Sequence, residues 1–412
     1  MYFTEALPYA VVNVMTLALY ADMKIPMDKI TFWTSMLSWP WVIKPLWSPF
    51  IEIFRTKRWW VIAMQMLLAI GTAGTALSLH LPAFFTVSLV FLAVVAFASA
   101  THDVAADGFY MLALNEGDQS LYVGLRSTFY RMGMISVQGG LLVLVGQLQR
   151  NGMNSEYAWT MTVFIAAAML GVLFLYHSFL LPKPSADRLS NIDTSQVWTA
   201  FAETFAAFFR KPFVWGSIIF ILLYRLPEAF LIKMIVLFLK APVKEGGLGL
   251  PNDLVGVVYG TIGVGMLLLG GIVGGILVSK YGLRKVFWFM VGAIHIPNAV
   301  FLFLSYAQPD NVYIIGAGVA LEQFGYGLGF TAFMLYLILL AEGEFKTAHY
   351  AIATGLMAAG MMIPGAYAGN LKMLLGWQHF FVLVMLCMIP SVLVSFLAYS
   401  RIPAGFGIKT KE

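Results

Sequence analysis

Residues 82–114 read PAFFTVSLVFLAVVAFASATHDVAADGFYMLAL. This run is longer than the ~20 apolar residues that an α-helix needs to cross a bilayer. Its only charged side chains are Asp103 and Asp107. The run predicts a membrane-spanning helix, and the two aspartates indicate that part of this helix faces protein or water rather than lipid. The fold class expected from it is an all-α membrane protein.

The composition of the whole chain agrees with this expectation. Of 412 residues, 60% are hydrophobic and only 11% are charged, whereas soluble domains carry about 25% charged residues. A soluble enzyme is therefore excluded. The sequence contains no P-loop and no His-Glu-x-x-His pattern, so we expect no ATP hydrolysis, no metal site, no cofactor and no enzymatic activity. One cysteine, Cys387, rules out an internal disulfide framework.

Twelve apolar runs predict twelve transmembrane spans. A long, initially polar segment at 182–212 separates six spans from the other six, which predicts an N-terminal six-helix bundle (1–181), a cytoplasmic linker (182–212), a C-terminal bundle (213–400) and a tail (401–412). The first run begins abruptly, so we expect further residues to precede Met1. Spans 1 to 12 cover 1–21, 30–50, 59–79, 82–114, 123–149, 157–181, 213–240, 253–279, 285–306, 311–341, 351–370 and 379–400.

The distribution of Lys and Arg predicts that both termini lie in the cytoplasm. With that orientation, 15 of the 25 basic residues fall in inner loops or the tail, 6 in outer loops and 4 within spans. Inner loops of membrane proteins carry the excess of positive charge. The net charge of +5 therefore reflects orientation rather than nucleic-acid binding. The expected partners are a small solute, protons and the bilayer, with the chain working as a monomer.

The linker contains one patterned segment. Trp198, Phe201, Phe205 and Phe208 recur at helical spacing and give a helix with one aromatic face. Two interpretations remain open. The helix lies on the cytoplasmic membrane surface, or the segment is a plain tether between the bundles.

The two halves of the chain resemble each other weakly, at an offset of about 227 residues. Residues 114–118 (LNEGD) correspond to residues 340–344 (LAEGE), and the loop 52–58 corresponds to 279–285. A duplicated six-helix unit is typical of transporters, whose substrate site lies near the midplane between repeats.

The loop between spans 8 and 9, residues 275–285 (GILVSKYGLRK), resembles the major facilitator superfamily motif Gly-x-x-x-Asp-Arg-x-Gly-Arg-Arg. Ser279 stands where the family has Asp. The loop between spans 2 and 3 is a degenerate copy. The resemblance implies a fold of two pseudo-symmetric six-helix bundles that rock around a solute. The residues of the two loop motifs are Glu52, Arg55, Arg58, Gly275, Lys280, Gly282 and Arg284.

Three further stretches resemble the AmpG-type muropeptide permeases, a group related to acetyl-CoA transporters. They are residues 5–9 (EALPY), 44–49 (KPLWSP) and 99–107 (SATHDVAAD), of which the last is the most specific. This resemblance implies proton-driven import of GlcNAc-anhydroMurNAc and its peptides across the bacterial inner membrane, for peptidoglycan recycling. Open alternatives are an exporter or carrier of another small solute, and a non-transporting membrane sensor or scaffold.

Eight charged residues lie deep in the predicted spans. At about 2.5–3.5 kcal/mol each, they would cost roughly 20–28 kcal/mol if left unpaired in lipid. They must therefore have partners or face a wet cavity. They are Lys44, Asp103, Asp107, Arg131, Arg225, Glu228, Lys233 and Glu322.

Asp103 and Asp107 are four residues apart and share one face of span 4. A carboxylate pair of this kind is a candidate proton carrier. The alternative pairs them with Arg126 and Arg131 of span 5 as a structural lock. His102 points elsewhere and is either titratable or simply packed.

In span 7, Arg225 and Glu228 flank Pro227 and have the spacing of an ion pair. They belong either to a cavity cluster at a broken helix or to a local pair that stabilises a kink. Lys44 has a similar second interpretation, because it can extend toward the inner headgroups. The proton-coupling candidates are Asp103, Asp107, Glu228, Glu322 and His102. The substrate-contact candidates are Arg126, Arg131, Arg225, Lys233, Trp41, Tyr130 and Gln323.

Overall fold

The computed structural model describes residues 1–113, 128–184, 187, 194–343 and 346–408. These residues form helices and no strands, so the predicted fold class is confirmed. Among them, eight helical stretches are long and apolar enough to cross a membrane. The eight stretches are Lys57–Ser78, Phe84–Tyr110, Thr128–Arg150, Ser155–Leu180, Asn252–Tyr281, Leu283–Ala307, Val312–Ala341 and Ala348–Tyr399.

The last of these stretches contains both span 11 and span 12. It consists of the helices Lys346–Leu386 and Met388–Tyr399, and the first of them is broken at Gly376, which has φ 71° and ψ 172°. The break lies inside the predicted gap between the two spans, 371–378, although helical backbone occupies most of that gap. A positive φ is accessible to glycine without strain, so this one residue makes the turn between the two spans.

The remaining three predicted spans are interrupted helices. Span 1 consists of Tyr2–Ala10 and Thr16–Asp22, joined by the π-helical turn Val11–Met15. The prolines at 40, 45 and 49 divide span 2, because proline lacks the backbone N–H that would continue the helix. The pieces of span 2 are Met27–Met36, Trp39–Ile43, the 3₁₀ turn Lys44–Leu46 and Ser48–Ile53. Those of span 7 are Val214–Leu223 and Leu226–Lys240.

The break in span 7 has an identifiable cause. Pro227 has no N–H to donate to the carbonyl four residues earlier, which is that of Leu223. The hydroxyl of Ser391, on span 12, donates to this carbonyl at 2.8 Å. Arg225 lies in the break with φ −104° and ψ 25°. A freed carbonyl inside a membrane requires such a partner, so span 12 stabilises the broken form of span 7.

The chain forms two compact units. Unit 1 comprises Met1–Pro26, Trp33–Phe201 and Asn252–Gly256, and unit 2 comprises Met27–Phe32, Ala202–Pro251 and Val257–Glu412. The predicted domain boundaries stay a prediction.

The first turn of span 8 packs within unit 1. Asp22 at the end of span 1 accepts hydrogen bonds from Trp159 at 2.8 Å, Gln149 at 3.1 Å and Asn252 at 2.5 Å. Asp253 forms an ion pair with Arg150 at 2.9 Å. These contacts explain why residues 252–256 belong to that unit.

The linker contains the predicted helix, which spans Thr194–Phe209. Phe208 is fully buried against Val214, Ile218 and Ile352, and the carbonyl of Thr204 lies 3.2 Å from His349 Nε2. The expectation that this aromatic face lies on the membrane surface was wrong at Phe208, because that ring packs on protein.

Spans 8 and 10 approach each other through glycines. A Cβ on Gly270 would lie 2.0 Å from the carbonyl oxygen of Phe324, and one on Gly327 would lie 2.0 Å from that of Leu267. Both distances are far shorter than a van der Waals contact. The atoms that a Cβ would meet belong to the helix backbone, which cannot move without disturbing its hydrogen bonds. Small residues at such crossings are the usual device for packing helices in membranes.

We predict that Gly327→Val destabilises the protein by at least roughly 1–3 kcal/mol, the usual penalty for overpacking. The matched control is Gly265→Val on span 8, where a Cβ would meet no atom within 4 Å. Thermal unfolding of the two variants in the same detergent is the measurement. Equal melting temperatures for the two variants would contradict the close approach.

Candidate functional site

Unit 1 contains a polar cluster around the Asp103 carboxylate of span 4. Lys44 Nζ lies 3.7 Å from Asp103 Oδ2, and the Asp103 side chain is only 10% exposed. Of the two interpretations of Lys44, an extension toward the inner headgroups is not what the structure shows. Its ammonium is directed to an acid inside the protein. One of the deepest charges predicted from the sequence is therefore neutralised by another.

Asp107 belongs to the same cluster. It accepts a hydrogen bond from the Tyr2 hydroxyl at 3.0 Å, and Asp103 interacts electrostatically with both Asp107 and the Trp41 side chain. The four-residue spacing on span 4 thus brings the two carboxylates together as predicted. Tyr2 was not among the candidate residues, and a single tyrosine near the start of a span gave no signal for this contact.

Span 5 contributes aromatic and basic groups to the cluster. Tyr130 lies within electrostatic range of Tyr9, Glu5, Asp103 and Arg131. The Tyr9 ring packs edge-on against Trp41, with ring centroids 5.4 Å apart. Two of the predicted substrate-contact residues, Trp41 and Tyr130, therefore lie beside the acids. Arg126, the other predicted basic residue of span 5, lies outside the described residues.

His102 makes a different set of contacts. Its Nε2 lies 2.9 Å from Gln65 Nε2, and Gln65 Oε1 lies 3.0 Å from His177 Nδ1. The three side chains come from spans 3, 4 and 6. His102 therefore faces away from the Asp103 carboxylate, as its position on the helix predicts.

Unit 2 contains a second polar cluster, at the break in span 7. The Arg225 guanidinium donates to the Tyr326 hydroxyl and lies over the rings of Phe330 and Phe333, at 4.7 and 5.9 Å from their centroids. Of the two interpretations of this segment, the local Arg225–Glu228 pair is not formed, and Arg225 lies at a break in the helix. Because the helix begins at Leu226, Arg225 does not have the helical geometry that an i,i+3 pair requires.

Glu228 is held by two polar side chains of span 9. Its Oε1 accepts from Asn298 Nδ2 at 3.0 Å and lies 3.2 Å from His295 Nδ1. Its Oε2 is buried with no hydrogen-bond partner among the described residues. The sequence analysis did not identify His295 and Asn298 as site residues. Two polar side chains three positions apart within an apolar span could have indicated them.

Glu322 and Gln323 lie on span 10, where Gln323 Nε2 donates to Glu322 Oε2 at 2.8 Å. Both residues line a pocket together with Glu228, Tyr259 and Tyr326. The pocket therefore carries two carboxylates and two phenol rings. Its remaining wall is formed by Leu231, Ile232 and Ile235.

Lys233 is placed differently from these residues. It is buried in span 7, with 5% of its surface exposed, and it is absent from the lining of this pocket. Its role as a substrate contact stays a prediction.

The arginines of the two loop motifs make equivalent contacts. Arg58 donates to the carbonyls of Ser178 and Leu181, at 2.7 and 3.1 Å, at the end of span 6. Arg284 donates to the carbonyl of Ile402, at 3.2 Å, just after span 12. The two residues are 226 positions apart (284 − 58). Each caps the last helix of its own bundle, where cations are favoured by the helix dipole.

The remaining motif residues serve as turn and surface groups. Gly282 has φ 80° and separates the helices of spans 8 and 9. Arg55 lies over Trp59 at 5.7 Å, and Lys280 over Tyr281 at 5.2 Å. A Cβ on Gly275 would meet no atom within 4 Å. The Glu52 side chain lies outside the described residues.

Lys211, at the end of the linker, caps the end of span 10. Its Nζ donates to the carbonyls of Leu340 and Glu342, at 2.6 and 2.7 Å. Burial lowers the pKa of Lys211, and the nearby Glu342 carboxylate acts in the opposite direction. Among the residues that the structure describes, no group of three or more His, Cys, Asp or Glu side chains is arranged to hold a metal ion.

Comparisons with known proteins agree with this architecture. The anhydromuropeptide permease of Escherichia coli K12 is 27% identical, over 99% of this chain and 81% of its own length. Transporter AmpG 4 of Rickettsia felis is 24% identical, over 88% of this chain and 86% of its own. The solved structure of a D-xylose-proton symporter superposes with a TM-score of 0.72 at 13% identity, covering 99% of this chain and 97% of that one.

The family model of the Major Facilitator Superfamily matches residues 1–369. Together with the relatives named AmpG, this match confirms both resemblances read from the sequence. The chain is a multi-pass membrane transporter and belongs to the Major Facilitator Superfamily.

Proposed function

We propose that this transporter imports cell-wall muropeptides, GlcNAc-anhydroMurNAc and its peptides, into the bacterial cytoplasm together with protons. The protein works as a monomer in the inner membrane, with both termini in the cytoplasm. The observation that carries the proposal is the Lys44–Asp103 pair beside Asp107, in the stretch that most resembles the AmpG-type permeases. The relationship to the E. coli anhydromuropeptide permease supports the substrate class.

The pair provides a physical route to proton coupling. In this proposal the Lys44 ammonium, which contacts Asp103, favours the carboxylate form of that residue, and the second acid on the same helix face, Asp107, opposes it. Protonation of Asp103 removes its attraction for Lys44 and relieves the repulsion from Asp107. Binding of one proton would therefore weaken the contact between Lys44 and Asp103. A local change of this kind can shift the equilibrium between two conformations of a transporter.

The neighbouring groups suit a sugar that carries an acidic peptide. Trp41 and Tyr130 offer flat apolar faces with polar edges, and Arg131 adds a cation next to Tyr130. In unit 2, Arg225, Lys233 and Gln323 are the proposed contacts for substrate carboxylate and amide groups. Glu228 and Glu322 are further proposed carriers of protons, because both line the same pocket.

The orientation rests on the charge asymmetry of the loops. The loops and tail on one side carry 15 basic residues, and the loops on the other side carry 6. This asymmetry supports a cytoplasmic location for the more basic side. Arg58 and Lys211, which cap helix ends, then both lie on the inner face.

The first prediction concerns Asp103. Proteoliposomes containing the wild type take up radiolabelled anhydromuropeptide when the outside is acidic, and Asp103→Asn reduces this gradient-driven uptake at least about tenfold. The reason is that asparagine can neither take up the proton nor pair with Lys44, and losing about 1.4 kcal/mol of this coupling corresponds to a factor of ten. Asp310→Asn, at an exposed acid, is the matched control and keeps wild-type uptake.

Three outcomes would overturn parts of this proposal. Absence of uptake by folded wild type would remove the substrate assignment. Uptake that needs an inside-acid gradient would indicate an exporter. Undiminished gradient dependence in Asp103→Asn would remove this residue as the coupling site.

A second prediction concerns Arg225. Arg225→Gln raises the KM for a peptide-bearing muropeptide about tenfold, the cost of losing one charge-assisted contact of roughly 1.4 kcal/mol, while leaving the maximal rate nearly unchanged. Arg401→Gln is the control, because Arg401 also lies over an aromatic ring, that of Phe213 at 4.1 Å, but follows the last span. Equal KM values for both variants would exclude Arg225 from substrate binding.

A further inference from the structure

Three buried side chains of unit 1 form a histidine–glutamine–histidine bridge. Gln65 of span 3 lies between His102 of span 4 and His177 of span 6, at 2.9 and 3.0 Å. The three residues are 0%, 0% and 5% exposed. No role in the transport proposal depends on Gln65 or His177. A polar bridge at this depth joins three helices of one bundle.

The chemistry of the bridge limits where its protons can lie. A glutamine amide presents one acceptor, Oε1, and one donor group, Nε2. The two ring nitrogens that face it are His102 Nε2 and His177 Nδ1. To satisfy both ends of the amide, one facing nitrogen must carry a proton and the other must offer a lone pair. Two protons or two lone pairs would leave a buried donor or acceptor unsatisfied, at a cost of about 1–3 kcal/mol.

We propose that Gln65 locks His102 and His177 into the same tautomer and allows the pair to accept one proton only. In one state both rings carry the proton on Nδ1, and Gln65 Oε1 faces His177. In the other state the amide is rotated by half a turn and both rings carry the proton on Nε2. Passing between the states moves one proton within each ring, so the number of protons is unchanged.

Adding a proton to this bridge creates one imidazolium. Its facing N–H donates to Gln65 Oε1, and the amide N–H group donates to the lone pair of the other ring. A second added proton would place an N–H against the amide donor. The bridge therefore has two neutral states and takes up a single charge, with rotation of the amide deciding which histidine holds it.

The surroundings of the bridge connect it with the proposed coupling site. Asp103 follows His102 on span 4 and is paired with Lys44. The backbone nitrogen of Met1 lies 3.2 Å from His177 Nε2, and His102 Nδ1 has no hydrogen-bond partner among the described residues. If the proposed function holds, Gln65 is a positioning residue that sets the charge next to Asp103.

The test is ¹⁵N NMR of histidine side chains in lipid nanodiscs, with His102 and His177 assigned through selective labelling of the preceding Thr101 and Tyr176. In the wild type we expect both rings to show the same tautomer. On acidification, we expect one ring to become an imidazolium while the other stays neutral. Different tautomers in the two rings, or two imidazolium rings at one pH, would overturn the proposal.

Gln65→Glu gives the sharpest contrast because it conserves the side-chain shape. A carboxylate presents acceptors on both sides, so both facing nitrogens should carry protons. His102 would then be the Nε2–H form and His177 the Nδ1–H form, or both would be imidazolium. A protonated carboxyl would present one donor and one acceptor, as the amide does, so the ¹³C shift of the introduced carboxyl group is recorded in the same samples. Retention of matching neutral tautomers in Gln65→Glu at a pH where this carboxyl is ionised would refute the lock.

The control is Gln138→Glu, at a buried glutamine of span 5 whose amide contacts Met134 rather than a histidine. It should leave both tautomers as in the wild type. Because the readout is the proton position on the rings, the result stands whether or not muropeptides are transported. Loss of uptake in Gln65→Glu with unchanged tautomers would count against the lock and indicate a packing role.

Discussion

The cost of placing charge inside a bilayer is the constraint on which this structure depends. An ionised side chain at the membrane centre costs about 2.5–3.5 kcal/mol even by insertion scales, and the spans carry several such groups. The two units meet this cost in different ways. In unit 1, Lys44 and Asp103 neutralise each other. In unit 2, Glu228 contacts the side chains of His295 and Asn298 on span 9, and Arg225 lies against aromatic rings.

The same constraint applies to the backbone. A carbonyl without a partner in the membrane costs several kcal/mol, so a broken helix survives only where another group compensates. Pro227 removes one hydrogen bond from span 7, and Ser391 of span 12 replaces it. The irregular backbone at Arg225 is therefore a stable feature. It turns the guanidinium out of the helix and toward Tyr326.

Sequence reasoning succeeded where the determining pattern is local. Hydropathy located the spans because burial in lipid acts on every residue of a helix, and the four-residue spacing placed Asp103 beside Asp107. It failed where partners are distant in the chain. His295 is 67 residues from Glu228, and His177 is 112 residues from Gln65. At Arg225 the sequence left a local pair with Glu228 and a broken helix both open, and the break at Pro227 removes the geometry that the pair needs.

The internal repeat separates scaffold from chemistry. Arg58 and Arg284 lie in corresponding loops, one position out of register at the offset of 227, and each contacts carbonyls at the end of the final helix of its own bundle, so both halves contain the same kind of contact. The charged groups within the spans do not repeat, since Arg131 corresponds to an alanine at 358. Altering a packing contact destabilises the protein in either half. A binding residue, by contrast, is needed only where the ligand carries a complementary group. Under the proposed function, the charges that do not repeat are the ones that contact an asymmetric solute.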